Sequence, residues 1–179
     1  MKGAESILTK VDLIFRRYGF KSVTMSDVAR ELGISKKTLY QFVSNKGDLI
    51  MKVVKSRIEL EKEAVGAIIA ESKDAIGEML AISLHVNQNL KTVHPAVIFD
   101  LQKYYRDAWD EIQAYRVGFV FDVIKNNVIR GMKEGLYRAN IDPEVIGKIY
   151  IGVMLSVMDT DLFPYPKYNS SEVYEEVIR

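Results

Sequence analysis

The stretch Thr24–Leu49, TMSDVARELGISKKTLYQFVSNKGDL, decides the fold. It sets two short apolar stripes on either side of Gly33. Thr24 and Asp27 stand at the spacing of a helix-start capping pair, and Val28, Ala29 and Leu32 follow on one helical face. Gly33 takes the left-handed backbone that a sharp turn requires. Ser35 is a good N-cap for a third, short helix whose inward residues are Leu39 and Val43. Two short helices about a glycine turn, sharing a small core with a preceding helix, read as a helix-turn-helix.

The charge on that third helix is informative. Lys36 and Lys37 sit in its first turn, where positive charge opposes the helix dipole and costs roughly a few tenths of a kcal/mol. Stability does not explain them. A phosphate or a guanine edge compensates the cost, and an α-helix fits the major groove, where base edges are distinguishable. Residues 1–57 carry 12 Lys/Arg against 5 Asp/Glu, whereas residues 58–179 carry 13 against 19. The formal net charge of +1 therefore divides into a head of +7 and a body of −6. Such a split suggests that the head alone meets a polyanion.

Helical periodicity runs through the rest of the chain, and period-2 alternation is weak, so the fold class is all-α. Ile7, Leu8, Val11, Ile14, Phe15 and Tyr18 make one face of a first helix over 5–18, stopped by Gly19. A fourth helix starts near Asn45, with Asp48 as capping partner, and runs to about Ala70. A fifth covers about 73–89, and Pro95 suits the first turn of a sixth. Residues 106–136 read as one long helix with a kink. Asp142 and Pro143 open a helix that ends near Met158, and Ser170 or Ser171 caps the last one.

Several function classes fall away. The absence of cysteine excludes disulfides, thiolate metal sites and cysteine nucleophiles. The two histidines, His85 and His94, lack metal-ligand spacing, so no metal and no cofactor is expected. No Walker or dinucleotide glycine motif supports an enzyme. The segment MKGAESILTK lacks a signal-peptide apolar core, and no run reaches the ~20 apolar residues of a membrane helix. A cytoplasmic protein without membrane contact is expected.

Residues 5–50 resemble the DNA-binding domain of the tetracycline-repressor (TetR) family. The residues that carry the resemblance are Phe15, Tyr18-Gly19-Phe20, Thr24, Asp27-Val28-Ala29, Leu32-Gly33-Ile34-Ser35, Thr38-Leu39-Tyr40, Lys46 and Leu49. The resemblance implies a helix-turn-helix domain over 1–47 joined to a helical effector-binding and dimerisation domain over 48–179. It implies that Thr24 holds a phosphate, that Lys36, Lys37, Thr38 and Gln41 face the groove, and that Tyr40 and Lys46 reach backbone phosphates of an operator duplex. Two positions depart from the family pattern. Phe42 replaces a ring that is often polar and cannot hydrogen-bond, and Gly47 replaces a common acidic residue in the first turn of the fourth helix.

The resemblance extends to the body only in style. It implies a homodimer through the last two helices, with Ile149, Val153, Leu155 and Val157 at the interface. The stretch PEVIGKIYIGVMLSVM is apolar nearly all round, which a core helix in a monomer also explains. The final helix offers only Val173, Tyr174, Val177 and Ile178, which is short for a dimer helix and leaves room for a longer natural chain. An effector pocket lined by His85, Tyr105, Trp109 and Phe119 is implied for the middle helices, although aromatics at helical spacing also build ordinary core. The function expected is a DNA-binding transcriptional regulator, a repressor that releases its operator when a small lipophilic or aromatic ligand binds. Control by a protein partner without a small ligand is the alternative.

Overall fold

The computed structural model describes residues 2–94, 96–164 and 167–178. Among the described residues there are helices and no strand. In chain order they are α1 (Lys2–Tyr18), α2 (Met25–Leu32), α3 (Lys36–Phe42), α4 (Lys46–Glu71), α5 (Ala75–Lys91), α6 (Ala96–Tyr104) and α7 (Arg106–Tyr115). A π-helical turn over Arg116–Val120 follows, then α8 (Phe121–Lys133), α9 (Pro143–Val157) and α10 (Ser170–Ile178). The all-α reading is therefore correct.

The helices form two compact units that are not contiguous stretches of sequence. The first comprises Met1–Leu60 and Thr92–Ile112, and the second Glu61–Lys91 and Gln113–Arg179. Residues 92–112 thus group with the head, although sequence reading assigned everything after residue 47 to the body. Charge and motif content say nothing about this grouping. It rests on packing between residues some 80 positions apart.

In the first unit, Val11, Phe15, Phe20, Val28, Leu39, Leu49 and Ile50 are buried. Phe15 and Phe20 bring their rings to 4.9 Å, and Tyr105 meets the Phe20 ring edge-on at 5.9 Å. Full burial of one such side chain is worth about 1.5–3 kcal/mol, so a core of this size suffices to seat the short α2 and α3. From the other stretch of the unit, His94 N donates to Arg16 O (2.8 Å) and Arg16 pairs with Thr92 through their side chains.

The second unit has an apolar cluster of Val65, Ile82 and Val123, packed round by Ile68, Ile69, Val86 and Phe119. Beside it lies a polar network that locks the start of α5. Buried Asn127 donates to Ala75 O (2.9 Å) and to Glu78 Oε1 (3.0 Å). Arg130 bridges Glu78 (2.7 Å) and Glu134 (2.6 Å), and Glu134 Oε2 accepts from Ala75 N (2.8 Å).

Three local expectations need correction. The expected long helix over 106–136 is interrupted by the π turn and stops at Lys133. Gly135, at φ +72°, ends it, with Leu136 N donating back to Gly131 O (2.9 Å). The cap of α10 is Asn169, not a serine: its Oδ1 accepts from Ser171 N (3.0 Å) and Ser171 Oγ (2.9 Å). The fifth helix begins at Ala75 and ends at Lys91, two residues later at each end than expected. The placement of Pro95 in the sixth helix falls outside the described residues.

Candidate nucleic-acid interface

The turn between α2 and α3 has the geometry that its residues dictate. Thr24 Oγ1 accepts from Asp27 N (3.2 Å), while Thr24 N donates to Asp27 Oδ2 (3.0 Å), closing a capping box. The Thr24 hydroxyl, and next the Thr24 N–H, donate to the Asp27 carboxyl and hold it below the ordinary carboxylate range. Gly33 sits at φ +67°, and Ile34 N donates to Ala29 O (3.0 Å). Ser35 caps α3 by accepting from Thr38 N (3.0 Å). Leu39 and Val43 point inward and are buried, as their spacing predicts.

That inward anchoring sets what α3 shows to solvent. Lys36, Lys37, Tyr40 and Gln41, at i, i+1, i+4 and i+5, are all exposed on one face. Thr38 is half-buried, and its hydroxyl lies 2.8 Å from Ser35 Oγ. Phe42 is exposed next to them. An exposed phenyl ring beside two lysines offers stacking or apolar contact but no hydrogen bond. Thr24 is exposed too, with its hydroxyl 2.6 Å from Asp27 Oδ2. A phosphate that takes that hydroxyl proton displaces Asp27 as its acceptor.

The start of α4 supplies the other cation. Asn45 Oδ1 accepts from Asp48 N (2.9 Å), and Asp48 Oδ2 accepts from Ser44 N (2.8 Å). The capping partners are therefore Asn45 and Asp48, with the return bond shifted one residue to Ser44. This reciprocal pair compensates for Gly47 in the first turn. Lys46 is half-buried, and its Nζ lies 3.4 Å from Lys21 O. Burial pushes its ammonium below the ordinary lysine value, and Asp100 and Asp27 oppose that shift.

Three residues of this region escaped sequence reasoning. Lys52 Nζ donates to Phe42 O (2.7 Å), neutralising the C-terminal end of α3, and pairs with Asp48 (3.1 Å). The i,i+4 spacing of Asp48 and Lys52 was a legible signal for it. Lys21 and Asp100 meet through the Lys21 N–H, 2.7 Å from Asp100 Oδ2. No local pattern announces a contact across that sequence separation.

The other expected site residues divide between the two units. Tyr105 and Trp109 lie in the first unit, where Trp109 is buried and Tyr105 packs on Phe20. His85 and Phe119 lie in the second unit. His85 Nε2 is 2.8 Å from Glu61 Oε2, and Asn89 Nδ2 donates to Glu61 Oε1 (2.9 Å). Phe119 stacks on Tyr115 at 5.6 Å. Of the four interface candidates on α9, Ile149 is 57% exposed and Val153 and Leu155 are half-buried. Val157 is 2% exposed within the single chain, so it belongs to the protomer's own core and not to an interface. Among the described residues, no helix is long and apolar enough to cross a membrane, and no three acidic or histidine side chains gather as metal ligands.

Comparison with known proteins agrees with this geometry. The family model for bacterial regulatory proteins of the tetR family matches residues 13–53. An uncharacterised HTH-type transcriptional regulator, YvaF of Bacillus subtilis (strain 168), is 27% identical over 173 residues, covering 96% of this chain and 90% of that protein. The crystal structure of FadR from Bacillus subtilis in complex with stearoyl-CoA superposes with a TM-score of 0.64 at 16% identity, covering 96% of this chain and 94% of that one. A transcriptional regulator from Saccharomonospora viridis in complex with choline gives 0.67 at 15% identity, covering 99% and 95%. At those identities the structural likeness shows the fold alone. Helix-turn-helix geometry, the family-model match and the relatedness along the chain converge: the protein is a DNA-binding transcriptional regulator whose residues 13–53 are similar to the DNA-binding domain of the tetR family.

Proposed function

We propose that the protein is a homodimeric repressor that grips its operator through α3 and the start of α4 and lets go when a small lipophilic or aromatic ligand binds the second unit. The observation that carries the DNA-contact assignment is the exposed cationic face of α3. Lys36, Lys37 and Gln41 have no side-chain hydrogen bond or ion pair among the described residues, so they are available to DNA. Lys37 and Gln41 read base edges, Thr24, Tyr40 and Lys46 contact phosphates, and Lys36 and Thr38 flank the groove. Lys46→Ala weakens binding to every duplex and lowers the salt slope by about one unit. The check is fluorescence anisotropy with operator-like and random duplexes over a salt series. Parallel salt lines for variant and parent remove Lys46 from the interface.

The effector reading rests on the second unit. There Phe119 joins Ile68, Ile69 and Val86 around an apolar cluster, and His85, Glu61 and Asn89 form a half-buried polar group. Apolar walls with a few convergent polar atoms are what small-molecule sites require. Tyr105 and Trp109 belong to the head's unit, so their part in the response is to report on the head. A tenfold preference for the state that does not bind DNA shifts the balance by only ~1.4 kcal/mol, so release needs a preference of about a hundredfold. Acyl thioesters, aromatic acids and quaternary ammonium compounds, screened for release of duplex and for a rise in Tm, test the reading. His85→Ala and Phe119→Ala should abolish release while DNA affinity stays intact. Release that persists in both variants places the effector elsewhere.

A further inference from the structure

We propose that Asp100 of α6 is a positioning residue for the Lys46 phosphate contact, acting through the backbone of Lys21. The proposal rests on reading Lys46 as a DNA contact. Asp100 is 4% exposed, and a carboxylate so far from water needs strong partners. Its Oδ2 accepts from Lys21 N at 2.7 Å. The fit is close: Gly19, at φ +80°, has room for a Cβ only at 3.4 Å from that same oxygen and from Ala96 Cβ. One turn further along α6, Tyr104 takes the Lys21 side chain. Lys21 Nζ donates to its hydroxyl (3.2 Å) and lies 4.8 Å from the ring centroid. Lys21 is thereby held by main chain and side chain together, and its carbonyl faces Lys46 Nζ at 3.4 Å.

The chemistry of the arrangement is specific. Lys46 stands at the first position of α4, half-buried, with Asp100 and Asp27 as the carboxylates that act on its ammonium. A lysine stem with four rotatable bonds has little preference for one direction. The Lys21 carbonyl gives it one, leaving two N–H donors for a phosphate. Asp100 fixes that carbonyl by fixing the residue that bears it. A buried negative charge near a DNA-binding cation also opposes the approach of phosphate. On charge alone, its removal strengthens DNA binding. On the positioning role, its removal weakens it. The two effects have opposite signs, so one measurement separates them.

The experiment uses the full chain and a random-sequence duplex, with affinity measured by anisotropy between 0.05 and 0.3 M salt as a rough working range. The variants are D100A, D100N, K46A and the D100A/K46A pair, each checked by circular dichroism and Tm. D100A should weaken binding roughly three- to tenfold at the middle of that range and lower the salt slope by about 0.9, the share of one phosphate contact. D100N keeps an acceptor of lower strength for Lys21 N–H, so its loss should be smaller and of the same sign. It carries the test alone if D100A does not fold. In the K46A background, the Asp100 substitution should cost nothing further, because a residue that acts through Lys46 has nothing left to act on. Binding as tight as the parent's, or tighter, in D100A or D100N overturns the proposal. So does a loss of the same size with and without Lys46, which marks Asp100 as a general structural residue. If K46A itself binds like the parent, the phosphate reading of Lys46 fails first, and this role with it.

Discussion

Lys37 and Gln41 lie one helical turn apart on the exposed face of α3, and the same face carries Lys36 and Tyr40. Their proposed assignment to base edges rests on their exposure on the recognition helix, whereas Lys46 stands at the start of the neighbouring helix. A base contact and a phosphate contact differ in a measurable way. Losing a base contact costs about 1–3 kcal/mol on the preferred sequence and much less on random DNA. Losing a phosphate contact costs the same everywhere. Lys37→Ala and Gln41→Ala should therefore relax sequence preference, measured as the ratio of operator to random affinity. Equal losses on both duplexes would identify the two residues as backbone contacts. Phe42 is the residue where the family pattern predicts a polar ring, and its exposed phenyl is consistent with contact to sugar or to a thymine methyl.

At the scale of the elements, several helix starts are tied by a side chain that the sequence places nearby or far away. Thr24 and Asp27, or Ser35 and Thr38, are three residues apart, and both pairs close as their spacing requires. The start of α5 differs. Ala75 N is held by Glu134, which lies 59 residues downstream at the end of α8. That bond, and next Arg130, hold the Glu134 carboxyl below its ordinary value. A carboxylate whose pKa is depressed in the folded state contributes stability that is complete above its unfolded value, near 4.5, and is lost as pH falls through the folded value. Glu134→Gln should accordingly lower Tm at pH 7, and the gap between variant and parent should close on acidification below about pH 4. A gap that stays constant from pH 7 to pH 3 would show that the charge of Glu134 does not matter.

For the whole molecule, the open question is what covers α9. Val145, Ile149, Gly152 and Ser156 recur at i, i+4, i+7 and i+11, and all four are exposed. Val177 on α10 is exposed as well. An apolar stripe with small residues is what two helices need to approach closely, and a helix-turn-helix regulator reads two half-sites as a dimer. Ile149→Asp should convert the protein to a monomer and cost most of its operator affinity while leaving the helical content unchanged. Sedimentation of parent and variant at micromolar concentration measures this. In the dimer, the two α3 helices should reach a separation of about 34–36 Å, one turn of the duplex. A parent that sediments as a monomer would remove the dimer from the account.

The residues of 24–49 by themselves determined the helix-turn-helix, because caps, glycine turn and apolar spacing act within three or four positions and need nothing else to be read. The charge split of the chain pointed to the same end. The body was legible only as helices, since periodicity says which face is apolar and not which neighbour will cover it. Val157 and Ile149 both lie on an apolar helix, yet one is core and the other is surface, a distinction that only the packing of α9 against α8 and α10 creates. Tyr105 and Trp109 sit close in sequence to Phe119 but serve the first unit, because α6 and the start of α7 fold back on the head. Asp100 and Lys21 are 79 residues apart, and their bond exists only once that return has been made. Local chemistry is written in local spacing, whereas the partners of a buried charge are chosen by the chain's path, which a single sequence does not display.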